Sequence, residues 1–130
     1  MINEAGILMD KAARASASAR LLLDAGDLDG AVNRAYFAMF DAAKAALIQD
    51  AGELAEGLGK THSGLIAAFG QQLVKAGKLP IALGRQLNPA EELRLVADYR
   101  ADVIRRDDAG DMVSQAGDFV LAIQSVFFHP

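Results

Sequence analysis

The chain has 130 residues, of which 52% are hydrophobic and 23% are charged, and its formal net charge at pH 7 is −4. This length suits one compact domain, which we expect to span residues 1–130. The absence of cysteine excludes a disulfide scaffold, a thiolate zinc site and a cysteine nucleophile. Acidic residues outnumber basic ones and no basic stretch occurs, so binding to duplex DNA is not expected.

The sequence also shows no membrane or export signal. No apolar run approaches the roughly 18 residues that a membrane span needs. Residues 1–14 carry both charge signs and lack the apolar core of a signal peptide. We therefore expect a cytoplasmic protein that does not associate with a membrane.

Alanine and leucine are abundant and proline occurs at only three positions, so helix is favoured along most of the chain. A first helix is expected from Asn3, as its N-cap, to Ala25. Gly26 ends it, and Asp27 is placed to cap a second helix that reaches about Asp50. The second helix carries a ridge of small side chains that lets a neighbouring backbone approach closely: Ala31, Ala35, Ala38, Ala42 and Ala45.

Another face of the second helix mixes charged and apolar side chains. Arg34, Phe37 and Ile48 share this face. In a monomer the two apolar residues would lie in water, because the core cannot use them. The pattern therefore predicts a homodimer or partner surface at these three residues.

Glycines divide the middle of the chain. Residues 51–60 contain three of them and are expected to form a long loop. Thr61 or Ser63 can then cap a third helix, which reaches Ala76 and stops at Gly77. Residues 78–88 predict a short turn of helix followed by a break.

Two further helices complete the expected fold. Asn88 as N-cap and Pro89 at the first helical position open a fourth helix, which runs to about Arg105. Asp107 or Asp108 begins a fifth. No segment shows the alternating pattern of a β-strand. The sequence therefore predicts an all-α domain, an antiparallel bundle of four to five helices.

Two familiar kinds of site can be set aside. Residues 59–61, Gly-Lys-Thr, resemble the end of a phosphate-binding P-loop, but Leu54 stands where that motif needs a glycine. The two histidines, His62 and His129, belong to no His-x-x-x-His or Glu-x-x-His pair. We therefore expect neither a metal site nor a cofactor.

Polar residues cluster in the expected fourth helix. Arg94 and Asp98 are four residues apart, so a surface ion pair accounts for them. Tyr99 is then half-buried with its hydroxyl exposed. Glu91 and Glu92 lie at the predicted helix start, where negative charge complements the helix dipole. Spacing alone favours a structural role for these residues, and a functional site is the alternative.

Three short motifs occur in order along the chain: residues 34–40 (RAYFAMF), residues 60–64 (KTHSG) with Phe69 after them, and Arg94-x-x-Ala97-Asp98-Tyr99. With these motifs the chain resembles a stand-alone bacterial HEPN-domain protein, and the resemblance extends from about Ala12 to Phe127. It implies a bundle of four to five helices that forms two-fold dimers.

The resemblance also implies a chemistry. Many HEPN domains are metal-independent RNA endonucleases, often toxins paired with a small nucleotidyltransferase antitoxin. Their active site lies at the dimer cleft and uses an Arg-x(4–6)-His motif from each subunit. Arg94 matches the arginine, but Tyr99 stands in place of the histidine, and no histidine occurs up to Arg106. With a reference pKa of about 10, tyrosine is a poor general acid or base near neutral pH.

Two sets of candidate residues follow. The candidate catalytic residues are Arg94, Tyr99 and His62, the last as a substitute for the missing imidazole. The candidate ligand-binding residues are Lys60, Thr61, His62, Arg94 and Asp98. The first three of these lie near a helix N-terminus, which favours anions. The other two suit a phosphate, a ribose or a partner side chain.

The missing histidine favours a HEPN-fold binding or regulatory module for RNA or a nucleotide. Such a module would work with a nucleotidyltransferase partner in a toxin–antitoxin-like system. One alternative is a metal-independent RNA endonuclease toxin with a variant active site. Another is a helical adaptor with no nucleotide role, in which Arg94 and Asp98 only hold helices together.

Overall fold

The computed structural model of the protein describes residues 3–52 and 60–128. The described parts of the chain contain helices and no strand, which confirms the predicted all-α bundle. The helices are α1 (Glu4–Asp24), α2 (Leu28–Ala51), α3 (His62–Phe69), α4 (Ile81–Gly84), α5 (Leu87–Tyr99) and α6 (Arg106–Phe127), and a π-helical turn, Gly70–Val74, continues α3.

Short polar side chains begin the first two helices, as the sequence predicts. The Asn3 side chain accepts a hydrogen bond from the backbone N–H of Gly6 at 3.1 Å. Asp27 accepts one from Gly30 at 2.9 Å. Each satisfies one of the N–H groups that a helix start leaves without a partner. Gly26 has φ +86°, a left-handed conformation that glycine adopts without strain, and it separates α1 from α2.

Helix α2 is the centre of the bundle and packs against α1, α3, α5 and α6. Its ridge of small side chains is completely buried, which confirms that this ridge admits close neighbours. Large side chains from other helices fill the rest of the core. Phe69 and Phe119, for example, are fully buried with ring centroids 5.5 Å apart.

The central position of α2 corrects one expectation. Ile48 is only 5% exposed, and Phe37 is half-buried against the core. Helices surround α2 on several sides, so little of its circumference stays open to solvent. The argument that both residues would lie in water is therefore wrong, and the partner surface at Arg34, Phe37 and Ile48 loses that support.

The third helix begins as predicted, because the Thr61 hydroxyl accepts from Gly64 N–H at 3.0 Å. Gly77 has φ +81° and ends the segment, also as predicted. The short helical turn expected within residues 78–88 is α4. Most of the loop expected at 51–60 lies outside the described residues, although Ala51 still belongs to α2 and Gly52 ends that helix.

The ends of α5 differ from the prediction. The helix starts at Leu87 after Gln86, so Asn88 is not its cap but, with Pro89, lies in its first turn. It ends at Tyr99 rather than near Arg105. Arg100 is extended, with φ −110° and ψ 155°, and the chain turns there towards α6.

Helix α6 also begins slightly earlier than predicted. Arg105 occupies the N-cap position, and Asp107 and Asp108 lie in the first turn. The two aspartates therefore do not cap the helix. Their negative charge near the N-terminus still complements the helix dipole.

Candidate functional site

A polar cluster lies inside the bundle where α2, the first residue of α3 and α5 meet. Capping by Thr61 fixes the start of α3 and so places His62 at this junction. On α5, three- and four-residue spacing brings Glu91, Arg94 and Asp98 onto one face. Together with the α2 residues that contact them, these side chains form what we call the polar cluster: Asn33, Tyr36, His62, Glu91, Arg94 and Asp98.

Arg94 is at the centre of the polar cluster and is only 6% exposed. Its Nη2 donates to Glu91 Oε1 at 2.8 Å and to Oε2 at 2.9 Å, and its Nη1 donates to Asp98 Oδ2 at 3.4 Å. The guanidinium carbon lies 5.0 Å from the ring centroid of Tyr36 and 5.4 Å from that of Phe37. Two carboxylates and two aromatic rings therefore enclose this positive charge.

His62 reaches the same carboxylate from α3. Its Nδ1 lies 2.6 Å from the Tyr36 hydroxyl and 3.5 Å from Glu91 Oε2. Its ring stacks on Phe40 with centroids 4.4 Å apart. An imidazole thus lies beside Arg94, although it comes from another helix and not from the position that the family motif specifies.

The electrostatics of the polar cluster keep Tyr36 protonated and Glu91 ionised. Burial, aided by the negative charge of Glu91, raises the pKa of Tyr36. Burial acts in the same direction on Glu91, but hydrogen bonds from Tyr36 and Arg94 and the positive charge of Arg94 outweigh it and lower the pKa of Glu91. The Tyr36 hydroxyl therefore keeps its proton, and it forms a hydrogen bond with His62 Nδ1 beside the Glu91 carboxylate.

Asn33 extends the polar cluster towards the surface. Its Nδ2 donates to both oxygens of Asp98, at 3.2 and 3.1 Å. Its Oδ1 accepts from Arg34 Nε at 3.2 Å. Arg34 also lies over the Phe37 ring, 5.5 Å from the centroid. Asn33 thereby holds the Arg34 guanidinium at the edge of the polar cluster that surrounds Arg94.

The predicted site residues are only partly brought together. His62, Arg94 and Asp98 belong to the polar cluster. Lys60 is exposed, and the Thr61 hydroxyl is used as the α3 cap. Among the described residues, no group of three His, Asp or Glu side chains is arranged to hold a metal ion.

Two expectations for α5 are corrected. Tyr99 is 76% exposed, not half-buried, because it is the last residue of α5 and the chain turns away after it. It has no hydrogen bond to Arg94 within residues 3–52 and 60–128. Nor do Arg94 and Asp98 form a surface ion pair, since the Arg94 side chain is 8% exposed and that of Asp98 22%.

Sequence reasoning missed three members of the polar cluster. Asn33 received no role, Tyr36 was noted only as part of the first family motif, and Glu91 was assigned to the helix dipole. For Glu91 a signal was present, because a carboxylate three residues before an arginine lies on the same helical face. No local pattern could indicate that His62 meets Tyr36, since 26 residues separate them in the chain.

Comparison with known proteins identifies the family. The sequence model of the HEPN domain family matches residues 5–126 of this chain. The chain belongs to the HEPN domain family. The resemblance of the three sequence motifs is thereby confirmed over nearly the whole chain.

Curated relatives of this HEPN protein match over most of their length. The UPF0332 protein glr0978 of Gloeobacter violaceus is 41% identical over 115 residues, 87% of each chain. Two proteins of Methanocaldococcus jannaschii bear the names "Putative toxin MJ0142" and "Putative toxin MJ0605". MJ0142 is 31% identical over 103 residues, which are 78% of this chain and 67% of the relative. MJ0605 is 34% identical over 104 residues, which are 79% of this chain and 73% of the relative. This HEPN protein is therefore similar to proteins named as toxins.

No helix in the described parts of this HEPN protein combines the length and the apolar character needed to cross a bilayer.

Replacing Glu91 with glutamine should change how stability depends on pH. The pKa of Glu91 is lowered from 4.5 in the folded state, so its ionisation stabilises the fold above about that pH. This contribution disappears as the pH falls through the lower, folded-state value. We expect Glu91→Gln to be less stable than the wild type at pH 7, with a difference that becomes smaller as the pH falls below 4.5, measured by urea unfolding.

The neighbouring exposed residue provides the control for this measurement. Glu92 is exposed on the same helix, so Glu92→Gln should follow the wild-type pH profile closely. If Glu91→Gln lost the same stability at pH 3 as at pH 7, its role would be packing rather than charge.

Proposed function

We propose that this HEPN protein is a toxin-like module that binds RNA or a nucleotide and does not cleave RNA efficiently in this form. The main observation in support of this proposal is that Arg94 is enclosed by other side chains. Its positive charge is neutralised by Glu91 and Asp98, and its side chain is almost completely buried. A guanidinium in this state is poorly placed to stabilise the charge that develops on a phosphodiester during cleavage, because two carboxylates already neutralise its charge and little of its side chain is accessible.

A small nucleotidyltransferase is the proposed partner, as it is for many HEPN toxins. Support for it comes from the family and from the two relatives named as toxins. A toxin-like protein that is produced in a cell needs a means of control, and a dedicated partner supplies one. Co-purification of the two proteins after co-expression from neighbouring genes tests this part of the proposal.

Homodimerisation also belongs to this proposal, with a different surface from the one that the sequence suggested. Leu95 and Tyr99, which are 40% and 76% exposed, lie four residues apart on α5, and Val103, which is 89% exposed, lies in the non-helical segment that follows. Exposed apolar side chains close together in the chain support an interface in this region. Light scattering at micromolar concentration should give the mass of a dimer.

A metal-independent RNA endonuclease is the second candidate, and the position of His62 favours it. Its side chain is 36% exposed, while Nδ1 is held by Tyr36 next to Glu91. A histidine that is oriented on one side and open to solvent on the other can act as a general acid or base. In this candidate the imidazole missing from α5 is replaced from α3.

One assay distinguishes the two candidates. A fluorescently labelled single-stranded RNA is incubated with the protein in EDTA, and both binding and cleavage are followed. We expect binding by the wild-type protein without cleavage above the background of His62→Asn. Efficient cleavage that disappears in His62→Asn would establish the endonuclease instead. Absence of both binding and cleavage would favour the adaptor.

A further inference from the structure

We propose that Arg34, and not Arg94, is the guanidinium that contacts a phosphate group of the bound RNA strand. This inference rests on the proposed RNA-binding function and names the residue that carries it. The face concerned lies along α2 beside the polar cluster and presents Arg34, Phe37 and Lys44.

Arg94 is already paired with two carboxylates and is almost inaccessible to an anion. Both carboxylate oxygens of Glu91 accept from Nη2, and Asp98 accepts from Nη1. Its Nε is buried without a hydrogen-bond partner. A phosphate would have to displace a carboxylate from a nearly closed site, which costs the desolvation of another charged group.

Arg34 shows the opposite arrangement. Its Nε is held by Asn33 Oδ1 at 3.2 Å, and its guanidinium is stacked on Phe37. Its two terminal nitrogens are not buried and have no acceptor within residues 3–52 and 60–128. The side chain is therefore already oriented, and its free edge presents the pair of N–H donors that suits two phosphate oxygens.

The charges around Arg34 favour an anion. Lys11 on α1 and Lys44 on α2 act with Arg34 on the carboxyl group of Asp41, and no ion pair within 4 Å joins Arg34 to Asp41. Three positively charged side chains thus act on one carboxyl group. Although the whole chain is acidic, this face has a local excess of positive charge.

Phe37 and His62 add a reason to expect RNA. Their ring centroids lie 5.9 Å apart, with the rings edge to face, and Arg34 lies over Phe37. Partly exposed aromatic side chains next to an arginine are the combination that binds the bases and the backbone of a single strand. A carboxylate-rich protein would use the arginine but would gain nothing from the rings.

Substitution of Arg34 tests the inference. Binding of a fluorescein-labelled oligouridylate to the purified full-length protein is measured by anisotropy over a range of salt concentrations. We expect Arg34→Gln to weaken binding at least tenfold at low salt and to reduce the slope of log K against log salt by about 1. The matched control is Arg20→Gln, which removes the same charge from a side chain that contacts Ser114 on α6.

The possible outcomes are distinct. Failure of the wild-type protein to bind the RNA would overturn both the proposed function and this inference. Wild-type affinity in Arg34→Gln, or an equal loss in Arg20→Gln, would overturn only the role of Arg34. Polyglutamate that competes as well as RNA at equal charge would identify a carboxylate partner and overturn the phosphate assignment. A thermal midpoint of Arg34→Gln close to that of the wild type shows that the variant is folded.

Discussion

Replacement of Arg94 with methionine is expected to lower the free energy of unfolding by about 3 kcal/mol at pH 7. Methionine keeps much of the apolar stem, so the loss isolates the charge. Without the guanidinium, Glu91 and Asp98, whose side chains are only 19% and 22% exposed, lose their ionic partner. In a chain of this size the loss corresponds to a fall of roughly 10 °C in Tm.

A second substitution shows whether the orphaned carboxylate causes this loss. Adding Glu91→Gln to Arg94→Met should restore part of the stability, because it removes one uncompensated charge. Arg20→Met is the control and should change stability by less than about 0.5 kcal/mol, since Arg20 is exposed. A loss below about 1 kcal/mol in Arg94→Met would mean that the ion pairs behave like surface pairs.

Tyr36 should show a comparably large effect, and two variants separate its contributions. Its side chain is completely buried and supports both Arg94 and His62. Tyr36→Ala should cost about 4 kcal/mol, because it removes a buried aromatic ring and leaves a cavity under the guanidinium. Tyr36→Phe keeps the ring and removes only the hydroxyl, so about 1 kcal/mol is expected.

Urea unfolding of the two variants at pH 7 gives the comparison. Phe119→Ala is a matched control, because Phe119 is equally buried but packs against Phe69, away from the polar cluster. Phe119→Ala should lower the free energy of unfolding by as much as Tyr36→Ala does, while leaving RNA binding unchanged. Equal losses in Tyr36→Phe and Tyr36→Ala would assign the effect to the hydroxyl and contradict the packing argument.

The relation between Arg94 and His62 changes how the missing motif histidine is understood. Tyr99, at the motif position, is exposed, so α5 alone supplies no general acid or base. The third helix nevertheless brings an imidazole to Glu91, which also binds Arg94. Within the proposed function, His62 is therefore the residue that decides between RNA binding alone and RNA cleavage, and the EDTA assay with His62→Asn tests its role.

The residues that begin α1, α2 and α3 were predictable because capping is local. Asn3, Asp27 and Thr61 each accept from an N–H three residues later, and such a pattern can be recognised in the sequence. The buried ridge of alanines on α2 was predictable for a similar reason, since helical periodicity fixes which side chains share a face. Local propensity did not fix the end of α5, where Arg100 is extended although the sequence favours helix.

The sequence by itself determined the helical fold, the caps of α1, α2 and α3, the alanine ridge and the shared face of Arg94 and Asp98, because these depend on residues only a few positions apart. Tertiary structure decided the burial of Arg94, the exposure of Tyr99, the enclosure of Ile48 and the meeting of His62 with Tyr36 and Glu91. Burial and contact between distant residues depend on how complete helices pack, and many packings satisfy the same local pattern. The chemistry of the site was therefore set by helix packing.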